Sequence, residues 1–169
     1  MKQIIALAVV VGLVFIQSCG SDDATCTKVV PAENLASVDQ AKLASDIIAI
    51  DTYLQNNGIV AQSEPNGVRY VVTTQGSGTK PCLENTIKVK YSGTLLKTGT
   101  VFNATSPEVS FKLSGLILGW QLVLPLIQAG SKVTLYIPSG LGYGVAGGAN
   151  GAIPSNANLI FEIEFISIN

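Results

Sequence analysis

From Val68 to the C-terminus, apolar and polar residues alternate with a period of two, the signature of strands that bury one face. The alternation divides into Val68 to Thr73, Thr86 to Leu95, Val101-Phe102, Val109 to Leu113, Lys132 to Ile137 and Asn158 to Ile168. Within the second of these, Ile87, Val89 and Tyr91 fall on one face. Turn residues cluster between Gln75 and Pro81 and again at Thr98-Gly99. One stretch breaks the alternation: Gly119 to Gln128 predicts a single short helix, stopped near Pro125 and Gly130. Antiparallel strands around one short helix define an α+β domain, a curved antiparallel sheet wrapped around that helix, over residues 66–169.

Upstream the periodicity changes. Leu43, Ile47, Ile50 and Leu54 recur at helical spacing, Ser37-Val38-Asp39-Gln40 fits a capping box, and Asn57-Gly58 supplies a stop, so residues 35–58 predict an N-terminal helix. Its stripe covers only a few turns and sustains no heptads, which favours packing on its own domain and a monomer; dimerisation through this helix is the alternative. Residues 19–34 are polar and aperiodic and are expected to be a flexible spacer. Before them, Lys2 and the apolar run Ile4 to Ile16 read as a cleaved leader, residues 1–18, too short to span a bilayer as a mature helix. Ile16-Gln17-Ser18-Cys19 resembles a bacterial lipobox, so Cys19 is expected to be lipidated and to hold the protein on a membrane of the cell envelope.

Composition narrows the chemistry. A net charge of −1 without any Lys/Arg cluster excludes nucleic acid as the main partner. The chain has no histidine and no Cys-x-x-Cys, which argues against zinc and leaves serine hydrolase chemistry without its usual base. Glu162 and Glu164 alternate with apolar residues and read as a solvated strand face rather than a glycosidase pair. Gly140-Leu141-Gly142-Tyr143-Gly144 is not followed by an amphipathic helix or by Gly-Lys-Ser/Thr, as a phosphate loop requires. Cys26 and Cys82 lie in a chain addressed outside the reducing cytosol; they pair as a tether or remain separate thiols, and sequence leaves both open.

Two clusters carry a resemblance. Leu135-Tyr136-Ile137-Pro138-Ser139-Gly140-Leu141-Gly142-Tyr143-Gly144 precedes Ala152-Ile153-Pro154 and a closing strand, and Ile117-Leu118-Gly119-Trp120 holds the sole tryptophan. Together they resemble the immunophilin, or FKBP-type, peptidyl-prolyl cis/trans isomerases, from about Gly67 to Asn169. The resemblance implies an apolar pocket for proline. Trp120 would form its floor; Tyr91, Phe102, Leu116, Ile117, Tyr143, Ile153 and Phe161 would form its walls. The Ile117 N–H and the Tyr143 hydroxyl would bond ligand carbonyls.

The resemblance also implies activity on Xaa-Pro segments of unfolded or flexible chains, with no cofactor and no metal. Such chemistry needs no acid, base or nucleophile, because the barrier near 20 kcal/mol comes from amide resonance that a twisted amide has lost. Asn103 stands where active members usually carry an aspartate, and Val109 where an aromatic often lines the pocket. Those departures motivate the rival reading, a non-catalytic peptide-binding chaperone or scaffold module of the same fold. The Gly-Ala-Asn-rich loop between Gly147 and Ala152 is expected to form a mobile tip.

Overall fold

The computed structural model describes residues 26–169. The expected leader, Cys19 and the first part of the expected spacer lie outside the described residues. Six strands form one sheet: β1 (Gln62–Ser63), β2 (Arg69–Thr74), β3 (Thr86–Leu95), β4 (Val101–Lys112), β5 (Lys132–Ile137) and β6 (Leu159–Ile168). Their order is β1-β2-β5-β6-β3-β4 and every pairing is antiparallel. Helix α1 (Ala32–Ala36) and helix α2 (Gln40–Asn56) precede the sheet, and α3 (Leu118–Val123) lies between β4 and β5.

The alternation of each strand decides which layer it feeds. On β5, Val133, Leu135 and Ile137 join the main core with α3 residues Trp120 and Val123, whereas Tyr136 faces the other way and packs with Ile50 and Leu54 of α2. Val71 and Ile160 support that second cluster. The sheet is therefore covered on both faces, which explains why Leu135-Tyr136-Ile137 is apolar without a break. Burying each such side chain contributes about 1.5–3 kcal/mol.

Three elements differ from the sequence expectation. The segments around Phe102 and Val109 were expected as two short strands, but β4 is one strand, paired with β3 on both sides of an irregular stretch. The pairing slips between Val89 and Tyr91, where Val89 faces Val109 and Tyr91 faces Thr105, so β4 carries the extra residues as a bulge around Pro107. Proline is accommodated because β4 is the sheet's outer strand and the bulge needs no N–H there.

The helix expected to reach Gln128 stops at Val123 and tightens into a 3₁₀ turn over Leu124–Leu126. Pro125 lacks the N–H that an α-helical turn would direct back to Gln121, and Ile127 N–H closes the turn on Leu124 O at 3.0 Å.

Helix α2 is capped by Asp39, whose carboxylate accepts from Lys42 N–H at 3.0 Å, two residues beyond the expected Ser37. Ser37 instead ends α1, its hydroxyl donating to Asn34 O at 2.8 Å.

The stretch expected as a spacer is laid against the domain from Cys26 onward. Cys26 is disulfide-bonded to Cys82, with Cα atoms 5.3 Å apart, and Val30, Leu35 and Val38 pack on the main core. Pro31, at φ −60°, leads directly into the α1 turn. Among the described residues no helix is long and apolar enough to cross a membrane.

Candidate proline-binding pocket

The pocket is built on α3 and the concave face of the sheet. Gly119 brings the helix close: a Cβ there would sit 2.6 Å from Ile137 Cγ2, so only glycine lets α3 rest directly on β5. The next residue, Trp120, then points into the bowl with 3% of its surface exposed. Tyr91 from β3 meets it edge-on, with centroids 5.5 Å apart at 88°, and Phe161 from β6 does so at 5.3 Å and 87°. Phe102 meets Phe161 at 5.5 Å and 81°. These edge-to-face contacts fix the rings beyond what area burial alone provides, by about 0.5–1.5 kcal/mol per pair.

The resulting cavity has a volume of about 150 Å³ and is lined by Tyr91, Phe102, Asn103, Phe111, Leu116, Ile117, Trp120, Tyr143 and Phe161. A space of about 150 Å³ walled mainly by aromatic and aliphatic side chains is large enough for a five-membered ring. The Trp120 indole Nε1–H is buried without an acceptor, the one such side-chain atom among the described residues. A donor left in that state costs about 1–3 kcal/mol, a cost retained where a broad flat ring is needed.

Polar groups sit at the rim. Ile117 caps α3 from an extended conformation, φ −61° and ψ 152°, and its carbonyl accepts from Trp120 N–H at 3.0 Å. Its own N–H precedes the helix and has no partner among the described residues. The loop before it is held by Gln121, whose buried side chain donates to Leu116 O at 2.6 Å.

Tyr143 is 38% exposed and follows the 3₁₀ turn Ser139–Leu141 that leaves β5. Burial pushes its phenol above the ordinary value; Tyr91 is raised likewise, first by burial and then by the neighbouring Tyr143 charge. Both therefore remain protonated donors at neutral pH.

Of the residues singled out from sequence, Tyr91, Phe102, Asn103, Leu116, Ile117, Trp120, Tyr143 and Phe161 line the cavity together. Val109 and Ile153 do not. Val109 pairs with Val89 and packs on the core beside the pocket, and the aromatic on this strand that reaches the cavity is Phe111, two residues further. Ile153 is 3% exposed in the core and exchanges two 3.0 Å backbone hydrogen bonds with Gly148, closing the loop beyond Tyr143. Phe111 was missed because the resemblance put the pocket position at Val109, two residues earlier on the same strand face. The bulge adds two residues and keeps the parity of β4, whereas the slip between Gly93 and Thr94 leaves Phe102 as a single extra residue and so admits adjacent Phe102 and Asn103 to one cavity.

Comparison with known proteins agrees with this architecture. Residues 77–166, more than half of the chain, match the family profile described as FKBP-type peptidyl-prolyl cis-trans isomerase. The chain belongs to that family. The outer membrane protein MIP of Legionella longbeachae is 38% identical over 125 residues, covering 70% of this chain and 52% of that protein. The FKBP-type peptidyl-prolyl cis-trans isomerase FkpA of Aeromonas hydrophila is 37% identical over 110 residues, covering 63% and 40%. This chain spans about half the length of the curated relatives it matches.

Among solved structures, a peptidyl-prolyl cis-trans isomerase of Pseudomonas syringae superposes with a TM-score of 0.65 at 27% identity, covering 84% of this chain and 98% of the other. FkpA of Escherichia coli gives 0.63 at 32% identity, covering 77% and 64%.

Proposed function

We propose that the protein is a peptidyl-prolyl cis/trans isomerase that takes Xaa-Pro segments of unfolded or flexible chains. The observation that carries this reading is the indole-floored aromatic cavity of about 150 Å³ in a chain of this family. The proline ring lies on Trp120 between Tyr91, Phe102 and Phe161. The Ile117 N–H and the Tyr143 hydroxyl hold the flanking carbonyls.

Rotation about the imide bond removes resonance, leaving the nitrogen pyramidal and the carbonyl less polar. A water-poor apolar wall favours that rotated form over the planar, more dipolar one. Asn103 offers an acceptor and a donor at the rim without a carboxylate's charge. No proton is transferred at any step.

The leader and lipobox-like sequence around Cys19 support a second part of the proposal: the protein is anchored to a bacterial envelope membrane by lipid on Cys19, where it assists folding. The similarity to a relative named as an outer membrane protein agrees with it. Uncatalysed prolyl isomerisation takes tens to hundreds of seconds, slow enough to limit folding.

A protease-coupled assay on short Xaa-Pro peptides tests the enzyme reading. The expected result is a rate that rises with protein concentration. The thermal rate persisting at high protein concentration would leave a peptide-binding module of the same fold. Mass spectrometry of the membrane fraction tests the anchor, which is wrong if the mature chain keeps residues 1–18 or carries an unmodified Cys19.

A further inference from the structure

The turn that carries Tyr143 is held from outside the family-matched residues. Asp46 of α2 is buried at 2% exposure and accepts from the Ser139 hydroxyl at 2.5 Å and from the Ser139 backbone N–H at 3.1 Å. Its other oxygen takes the Lys42 ammonium. Ser139 opens the 3₁₀ turn that ends one residue before Gly142-Tyr143. One residue on, a Cβ at Gly140 would stand 2.7 Å from Val38 Cγ1, so the chain entering α2 is packed directly on the same turn.

A buried carboxylate is costly unless its oxygens are satisfied, and here three donors converge on it. Two of those donors belong to one residue of the site-bearing turn. No sheet packing requires this arrangement, since α2 docks on the sheet through Ile50 and Leu54, one and two turns further along.

We propose that Asp46 is a positioning residue for the pocket: by gripping Ser139 it fixes the turn from which Tyr143 projects, making α2 part of the site's scaffold. The kinetic consequence rests on the isomerase reading; the structural one does not. Asp46→Ala removes the grip but leaves Ser139 N–H its second acceptor, Asn158 Oδ1 at 2.9 Å, and returns Lys42, on a half-exposed helix face, to water. The domain is thus expected to fold.

The test uses the full chain, isotope-labelled, with the backbone amides of residues 142–148 and the single indole N–H of Trp120 as separate reporters. In Asp46→Ala the loop amides shift and broaden, the indole resonance stays, and kcat/KM on an Xaa-Pro peptide falls about three- to tenfold, no more than loss of the Tyr143 hydroxyl itself costs. Asp46→Asn keeps an acceptor for the Ser139 hydroxyl and stays within about threefold of wild type. Gly140→Ala displaces Val38 from the other side and reproduces the loop shifts.

Unchanged loop amides and unchanged kcat/KM in Asp46→Ala, with only a lower melting temperature, overturn the proposal. Should that variant not fold, Ser139→Ala and Gly140→Ala decide in its place: unaltered loop amides in both overturn it equally. A wild-type protein without turnover removes the isomerase reading alone, and the amide shifts still decide the role of Asp46.

Discussion

Gly93 and Phe102 are locked together: a Cβ on Gly93 would lie 2.5 Å from Phe102 Cζ and 2.9 Å from Phe161 Cε1. The absent side chain on β3 is the space into which one pocket wall folds. Gly93→Ala is expected to drive Phe102 off its edge-to-face contact with Phe161, destabilising the fold by about 1–3 kcal/mol as an overpacked site does. Turnover should fall further than stability, because Phe102 lines the cavity. Denaturant unfolding beside kcat/KM checks this, and an Ala variant with native values in both would show that the ring has room.

Tyr143→Phe removes one hydroxyl and nothing else. A single hydrogen bond to a ligand carbonyl is worth about 0.5–1.5 kcal/mol, so kcat/KM is expected to drop by about two- to tenfold with the melting temperature unchanged. An unaltered rate would take Tyr143 out of the site.

The pH profile separates this chemistry from acid–base catalysis. The chain contains no histidine, and the pocket phenols are raised above their ordinary value near 10. A phenol whose folded-state pKa is raised holds its proton more tightly when folded. Its stabilising effect is complete below the unfolded value of about 10 and is lost as pH rises through the folded one. Activity should therefore be flat from about pH 6 to pH 9 and decline, with stability, only above about 10. A bell-shaped profile inside the flat window would point to a proton-transferring group instead.

Cys26 and Cys82 close a loop with a sequence separation of 56 residues that includes both N-terminal helices. Reduction, or Cys82→Ser, should lower stability by about 2–5 kcal/mol, since the bridge restrains the unfolded chain. The residues lining the cavity all follow Cys82, and α2 stays docked through Ile50 and Leu54 without the bridge, so kcat/KM well below the melting transition should change little. Matching unfolding curves with and without reductant would show that the bridge contributes nothing.

Sequence made most of this legible where a pattern was local. Strand β5 lies at Lys132 to Ile137 as its alternation predicts, and the apolar stripe of α2 buries Ile50 and Leu54 on its own domain. Trp120 and Tyr143 were placed through the Ile-Leu-Gly-Trp and Leu-Gly-Tyr-Gly patterns that carry the family resemblance, and both line the cavity.

What failed depended on partners remote in sequence. Phe111 was overlooked for Val109, two residues earlier on the same face, because the register of β4 on β3 is not visible in the sequence, and Ser37 lost its expected cap because α1, too short to show periodicity, claimed it first. Nothing in the sequence singles out Asp46; only the fold brings it to Ser139, 93 residues away.

The central claim, that this pocket lowers the barrier to imide rotation, is tested most directly by exchange NMR on a Xaa-Pro peptide with substoichiometric protein. Cis and trans resonances are expected to exchange within the mixing time, at a rate proportional to added protein and reduced in Trp120→Leu. Resonances that still interconvert only over tens of seconds, while the peptide visibly binds, would contradict it.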